Sequence, residues 1–283
     1  MGEKRFDEAT GQETTGHSYD GIEELNTPLP RWWLWTFYLT IIWGIGYTIA
    51  FPAWPLISTT TAGLLGYSTR AEVAAEIAAH EALNKDLMAQ LVAADLNGIS
   101  PQDDLHRYAT ARGASVFRAQ CSQCHGSGAA GGIGYPNLLD NDWLWGGTVD
   151  EIAYTVRHGI RNDTDWDARY SEMTAFGGIL EPSEIETLAD YVITWADHQG
   201  AADGAELFLD NCSSCHGEQA QGMVELGAPN LTDAIWLYGG DRESVIETIT
   251  YSRFGVMPPW GQRLSEADVR AVSIYVHALG GGE

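Results

Sequence analysis

The chain has 283 residues, 39 of them acidic and 15 basic, for a formal charge of −24, and 45 % of them are hydrophobic. That length leaves room for two small domains with additions. A surface so acidic repels nucleic acid and anionic lipid headgroups, so no nucleic-acid partner is expected. It favours encounter with a basic protein, although solubility alone is an equally good reason for it.

Residues 1–31 are polar and lack helix or strand periodicity, which predicts a short tail. From Trp32 to Ala53 the chain reads WWLWTFYLTIIWGIGYTIAFPA, and no charge occurs between Arg31 and Arg70. About 20 apolar residues span a bilayer core. Trp32, Trp33 and Trp35 at one end and Trp54 at the other suit the two interfaces, so residues 32–54 are expected to cross a membrane and contact lipid. A cleaved signal peptide is disfavoured by the length of the run and by the acidic tail before it. A buried soluble helix is disfavoured because a helix apolar all round needs a large core. Lys4, Arg5 and Arg31 give a weak positive-inside signal, diluted by seven acidic residues.

Residues 55–107 read as a linker holding one Ala-rich helix over 71–95. Ser68 or Thr69 can cap it, with Glu72 answering, and Gly98 and Pro101 end it. A spacer and a helix packed on a partner subunit both remain open for this element.

An internal repeat fills the rest of the chain. Gly113-Ala-Ser-Val-Phe117 matches Gly204-Ala-Glu-Leu-Phe208, and Cys121-Ser-Gln-Cys124-His125 matches Cys212-Ser-Ser-Cys215-His216. Pro136-Asn-Leu138 then matches Pro229-Asn-Leu231, and Trp143-Leu-Trp-Gly-Gly147 matches Trp236-Leu-Tyr-Gly-Gly240. Met173 and Gly177 match Met257 and Gly261, followed by a helix with Tyr191 or Tyr275. The first copy alone carries a polar insertion, Arg161–Glu172. Two homologous domains are therefore expected, 108–198 and 199–283, joined near His198–Gly204. From residue 108 onward there are 25 acidic side chains, nine Arg and no Lys.

Cys-x-x-Cys-His marks covalent attachment of haem c. Each thiol adds across a vinyl group, and the adjacent His becomes an iron ligand. Cys121, Cys124, Cys212 and Cys215 are all the cysteines in the chain, so two covalently bound haem c groups are expected, with His125 and His216 on the irons. A tetrahedral zinc site built from both pairs is conceivable, but it explains neither the following His residues nor the repeated flanks.

Each repeat resembles a class I cytochrome c. The resemblance implies Met173 and Met257 as the sixth ligands, and His/Met ligation gives a raised reduction potential. Each Met is taken to serve its own repeat, although tandem modules could exchange them. Met88 and Met223 are read as packing or surface residues, and His158 and His277 as structural. The resemblance also implies that Pro136 and Pro229 buttress the proximal His and that Trp143 and Trp236 pack at the haem edge. For Arg157 and Arg253, pairing with propionates and simple surface solvation are equal alternatives.

The whole layout is similar to the dihaem subunit family (CcoP/FixP) of cbb3-type cytochrome c oxidases. The resemblance rests on Gly21-Ile-Glu-Glu-Leu-Asn-Thr-Pro-Leu-Pro-Arg-Trp-Trp33, on Phe51-Pro-Ala-Trp-Pro55 and on the tandem modules. It implies an all-α fold with one N-terminal transmembrane helix and two tandem class I cytochrome c domains. It implies an electron-entry subunit of an oxidoreductase complex, with no catalytic centre of its own. Electrons would come from a basic or membrane-tethered cytochrome c donor and go to the monohaem cytochrome c subunit and the haem-copper catalytic subunit, which reduces oxygen and pumps protons. The tail would be cytoplasmic and the haem domains periplasmic, at the inner membrane. An independent tethered shuttle or a cytochrome subunit of a periplasmic dehydrogenase are the rival readings. Co-purification with an oxidase separates them.

Overall fold

The computed structural model describes residues 4–195 and 202–282. The expected domain junction at 198/199 lies outside the described residues. The chain divides into two compact units, residues 1–82 and 83–283.

The N-terminal unit opens with a three-stranded antiparallel sheet, β1 (Phe6–Asp7), β2 (Gln12–Tyr19) and β3 (Ile22–Leu25), in the order β1-β2-β3. This corrects the expectation of a tail without strands. The turn is Asp20-Gly21, with φ of +50° and +85°, and it brings Tyr19 opposite Ile22. An Asp-Gly pair at positive φ matches the twist of a two-residue hairpin. The alternation around it is too polar to be seen as a strand pattern.

Helix α1 (Arg31–Ala50) is long and apolar enough to cross a membrane, and none of its residues is buried. Its threonines return their hydroxyls to the backbone: Thr36 to the Trp32 carbonyl at 3.0 Å, Thr40 to Phe37 at 2.7 Å and Thr48 to Ile45 at 2.9 Å. Polar groups satisfied within the segment are what a lipid environment demands. The helix stops at Phe51, extended before Pro52, as a residue preceding proline prefers. Leu64 and Leu65 then donate to the carbonyls of Ile49 and Ala50 at 2.9 and 3.0 Å, closing the helix end.

Helix α2 (Thr69–Ala93) occupies the expected Ala-rich stretch. Ser68 Oγ accepts from the Ala71 N–H at 3.3 Å, while Glu72 takes the Tyr67 hydroxyl instead of answering the cap. Val73, Ile77 and Leu83 are exposed and Leu91 is fully buried. In the second unit Leu91 joins Leu96, Ala109, Val149, Ala153, Ala271 and Ile274 in one apolar cluster. The Arg270 guanidinium donates to the Leu91 carbonyl at 2.7 Å and to that of Ala94, capping the C-terminal end of α2 with a cation.

The remaining helices are α3 (Asp104–Val116), α4 (Ser122–His125), α5 (Val149–His158), α6 (Pro182–Ile193), α7 (Ala202–Asn211), α8 (Ser213–His216), α9 (Arg242–Tyr251) and α10 (Glu266–His277). Their packing does not follow the sequence repeat. Helix α3 of the first copy crosses α10 of the second, and α10 also packs on α5. Helix α6 of the first copy packs on α7 and α9 of the second. One apolar cluster accordingly joins Phe117, Ile152 and Val156 to Val269, Val272 and Val276, and another joins Ile185, Leu188 and Val192 to Phe208, Val245 and Ile249. The chain leaves the first group after α5, builds the whole second group from Met173 to Tyr251, and returns with Met257 and α10.

The repeated glycines show why these crossings are tight. A Cβ on Gly113 would strike the Ala271 carbonyl and the Tyr275 Cβ; one on Gly204 would strike Tyr191. Each copy's first helix therefore carries a glycine where the other copy's last helix lies against it, and only a missing side chain permits that approach.

Candidate functional site

Two open-mouthed cavities occupy the described part of the C-terminal unit. Cys121, Cys124 and His125 line the first, with Phe117, Pro136, Trp143, Val156 and Val272 around them. Cys212, Cys215 and His216 line the second, with Phe208, Pro229, Trp236, Leu188 and Val192. The two cysteine pairs thus face different cavities and do not converge on one tetrahedral metal site.

Local folding delivers each motif. In the first copy α3 runs into a π-helical turn, Phe117–Cys121, in which the Ser122 N–H reaches back to the Phe117 carbonyl. Such turns re-aim side chains within a helix and recur at functional sites. In the second copy the ordinary spacing holds, with Cys212 N–H on the Phe208 carbonyl at 2.8 Å. Phe117 and Phe208 are 1 % and 0 % exposed, forming the floor beneath each motif.

The imidazoles are held alike. His125 Nδ1 lies 3.2 Å from the Pro136 carbonyl, and His216 Nδ1 lies 3.0 Å from that of Pro229. A carbonyl only accepts, so Nδ1 carries the proton and Nε2 presents its lone pair to the cavity. Burial lowers both histidine pKa values, against the raising effect of those carbonyls. Burial, with the neighbouring cysteine adding to it, pushes the Cys121 and Cys212 thiols up to about 11. At neutral pH both are therefore neutral thiols.

Methionine placement departs from the simplest expectation. Met257 lines the cavity of His125, and Met173 lines the cavity of His216. Of the two arrangements the sequence left open, the structure sets each Met in the cavity of the other repeat's imidazole: the last helix of each copy crosses the first helix of the other and carries its Met loop with it. Backbone bonds fix the exchange. Ile160 and Met257 trade N–H and carbonyl at 3.0 Å each way, and Asn162 Nδ2 lies 3.4 Å from the Met257 carbonyl. The Ser252 hydroxyl donates to the Met173 carbonyl. Neither Met88 nor Met223 lines either cavity.

The glycine pairs after Trp143 and Trp236 have a plain purpose. A Cβ on Gly147 or Gly240 would run into the indole ring four residues earlier, so these rings lie flat on backbone at the cavity walls. His158 Nδ1 is 3.1 Å from Asp165 Oδ2, tying the end of α5 to the insertion, and His158 lines neither cavity. Arg157 pairs with Glu266 at 2.6 Å and lines no cavity. Arg253 does line the second cavity, but its guanidinium is also bound to Glu247 at 2.7 Å and to the Ser244 carbonyl at 2.6 Å.

An orphaned polar atom tests whether the cavities suit haem. Trp145 lines the first cavity, is 7 % exposed, and its buried indole N–H has no protein partner. A buried donor left unsatisfied is costly, and a haem propionate would supply the missing acceptor. With two thiols, an imidazole and a thioether on an apolar lining, the residues fit haem c.

Sequence reasoning missed three wall residues. Leu144, Arg161 and Leu237 line both cavities, and the Gly134 N–H bonds the Leu237 carbonyl at 2.8 Å. Arg161 opens the insertion found only in the first copy, so comparing aligned positions could not reveal it. Asp142, lining the first cavity, has its pKa raised to about 6 by burial, with Asp233 and Asp140 adding repulsion.

Residues 11–58 match the family described as the N-terminal domain of cytochrome oxidase-cbb3, FixP, and residues 109–192 and 199–276 match cytochrome C oxidase, cbb3-type, subunit III. The chain is 60 % identical over 276 residues to the cbb3-type cytochrome c oxidase subunit CcoP of Cereibacter sphaeroides, covering 95 % of each chain. It is 50 % identical over 284 residues to subunit FixP of Sinorhizobium medicae, covering 99 % of this chain and 98 % of the relative. To subunit CcoP of Rhodobacter capsulatus it is 53 % identical over 286 residues, covering 96 % of each.

Proposed function

The chain belongs to the CcoP/FixP family of cbb3-type cytochrome c oxidase subunits, and on that premise we propose that it is the electron-entry subunit, a membrane-anchored two-haem relay. The observation that carries this reading is the pair of cavities, each offering two thiols, one proximal imidazole and one thioether, with a shared wall between them.

Haem c, when bound, supplies an iron centre for one-electron transfer. The protein supplies the rest. Cys121 and Cys124 would hold one haem and Cys212 and Cys215 the other, with Nε2 of His125 and of His216, oriented by the Pro136 and Pro229 carbonyls, as nitrogen donors. Met257 would supply the sulfur donor to the first and Met173 to the second. With both donors engaged neither haem would take oxygen or peroxide, so this chain would hold no catalytic centre and its role would be transfer between partners. Apolar walls exclude water, which disfavours the charged ferric state and raises the potential along with the thioether.

Helix α1 supplies the membrane span, with residues 1–31 as a cytoplasmic tail and the haem-bearing unit periplasmic. The donor is a basic or membrane-tethered cytochrome c drawn to the acidic face. The recipients are the monohaem and haem-copper subunits. Titration of the purified complex with a pyridine haemochrome assay for this chain should give two haems per polypeptide. Ferric spectra should show the weak long-wavelength sulfur-to-iron band from both. Stoichiometric carbon monoxide binding to both haems of the intact chain would overturn the relay.

A further inference from the structure

Arg161 stands at the only wall the two cavities share among the described residues, with Leu144 and Leu237. Its Nε donates to the Gly255 carbonyl at 2.9 Å and its Nη1 to the Ser171 carbonyl at 2.7 Å. Gly255 lies two residues before Met257, and Ser171 lies two residues before Met173. One planar guanidinium therefore spans the approaches to both methionines, with its face over the Phe254 ring at 5.6 Å. A rigid fork is suited to holding two acceptors at a fixed separation, which an ammonium cannot do.

Two further observations point the same way. The backbone of Arg161 sits at φ +51°, a left-handed conformation that is unfavourable for a long side chain and is kept where surrounding structure requires it. No acidic side chain of the described residues forms an ion pair with it, although it is half-buried. Its charge, which Glu172 and Tyr238 feel without a direct ion pair, stands at the wall of both cavities.

We propose that Arg161 is a positioning residue common to both haem centres, clasping the two exchanged methionine loops so that both thioethers are seated together. This rests on the reading of Met173 and Met257 as axial ligands. Asn162 touches only the Met257 side and Ser252 only the Met173 side, so substitutions at these three positions separate one-centre from two-centre effects.

The test uses the full chain with both haems, purified in its membrane complex, and reads the sulfur-to-iron band and the two midpoint potentials. Asn162→Ala should weaken the band of the haem on Cys121 and Cys124 alone, and Ser252→Ala that of the haem on Cys212 and Cys215 alone. Arg161→Gln should cut both bands at least twofold. It should also lower both potentials, by up to the 59 mV that a tenfold change represents for a one-electron couple. Arg161→Lys keeps the charge but not the fork: it should cut both bands with smaller potential shifts, and it is read alone if Arg161→Gln does not assemble. Both bands intact in Arg161→Lys, or only one weakened, would overturn the clasp. Absence of the band from both haems of the unsubstituted protein would instead overturn the ligand assignment.

Discussion

The two cavities share a ligand set and differ in their surroundings. The first has an aliphatic wall of Ile152, Val156, Ile160, Val256, Val272 and Val276, with Asp142 and Arg161 as its charged residues. The second adds Glu172, Arg253, Asn211, Ser214, Thr174 and Thr248. Tyr238 stands in the second where Trp145 stands in the first, and Arg253 lies over it at 5.0 Å. Identical ligands in unlike surroundings are a means of separating two potentials, because a less polar wall penalises the charged oxidised state more. The comparison teaches that the repeat supplies the chemistry, and that the non-repeated residues tune it.

The largest expected effect tests the exchange itself. In a Cys212→Ala/Cys215→Ala chain, which keeps only the first haem, Met257→Ala should abolish the sulfur-to-iron band and Met173→Ala should leave it. The reverse result would restore a ligand from within each repeat. Next comes the helix crossing. Gly113→Leu overpacks α3 against α10 and should cost about 1–3 kcal/mol, measured by chemical denaturation, with the first haem's band lost before the second's. Gly204→Leu should reverse that order.

A smaller effect concerns α5. Thr148 Oγ1 accepts the Glu151 N–H at 3.3 Å while Glu151 accepts the Thr148 N–H at 3.1 Å. Thr148→Ala should cost about 1 kcal/mol, and an unchanged denaturation midpoint would remove this box from the stabilisation of the first cavity. The smallest effect sharpens the electrostatic contrast. Asp142 is protonated more readily folded, with a pKa of about 6 against an ordinary 3.8. The folded state therefore binds the extra proton between those values, and stability contributed by the neutral carboxyl is lost as pH rises through about 6. Asp142→Asn should raise the melting temperature above pH 6 and have no effect near pH 3. The first haem's potential should likewise fall as pH passes 6 in the unsubstituted chain only; equal pH dependence in the variant would exclude Asp142 as the source.

Much of the cofactor chemistry was legible locally. Both thiol pairs, both imidazoles and the Pro136 and Pro229 carbonyls lie within about twenty residues of chain in each copy, and short-range geometry brings them together. The hairpin at Asp20-Gly21 was not read from the sequence, because its polar strands carry no apolar alternation. Arg161, Trp145 and Ser252 were not legible, since their roles depend on neighbours from the other copy.

The residues along the chain determined which groups each centre holds, the apolar span and the repeat, because these are matters of residue type and short spacing. Which methionine faces which imidazole was decided only in three dimensions. The two copies offer near-equivalent last helices to near-equivalent first helices, and local pattern cannot choose between partners of the same shape. The close approaches at Gly113 and Gly204, and the hydrogen bonds to the Met257 and Met173 carbonyls, made that choice.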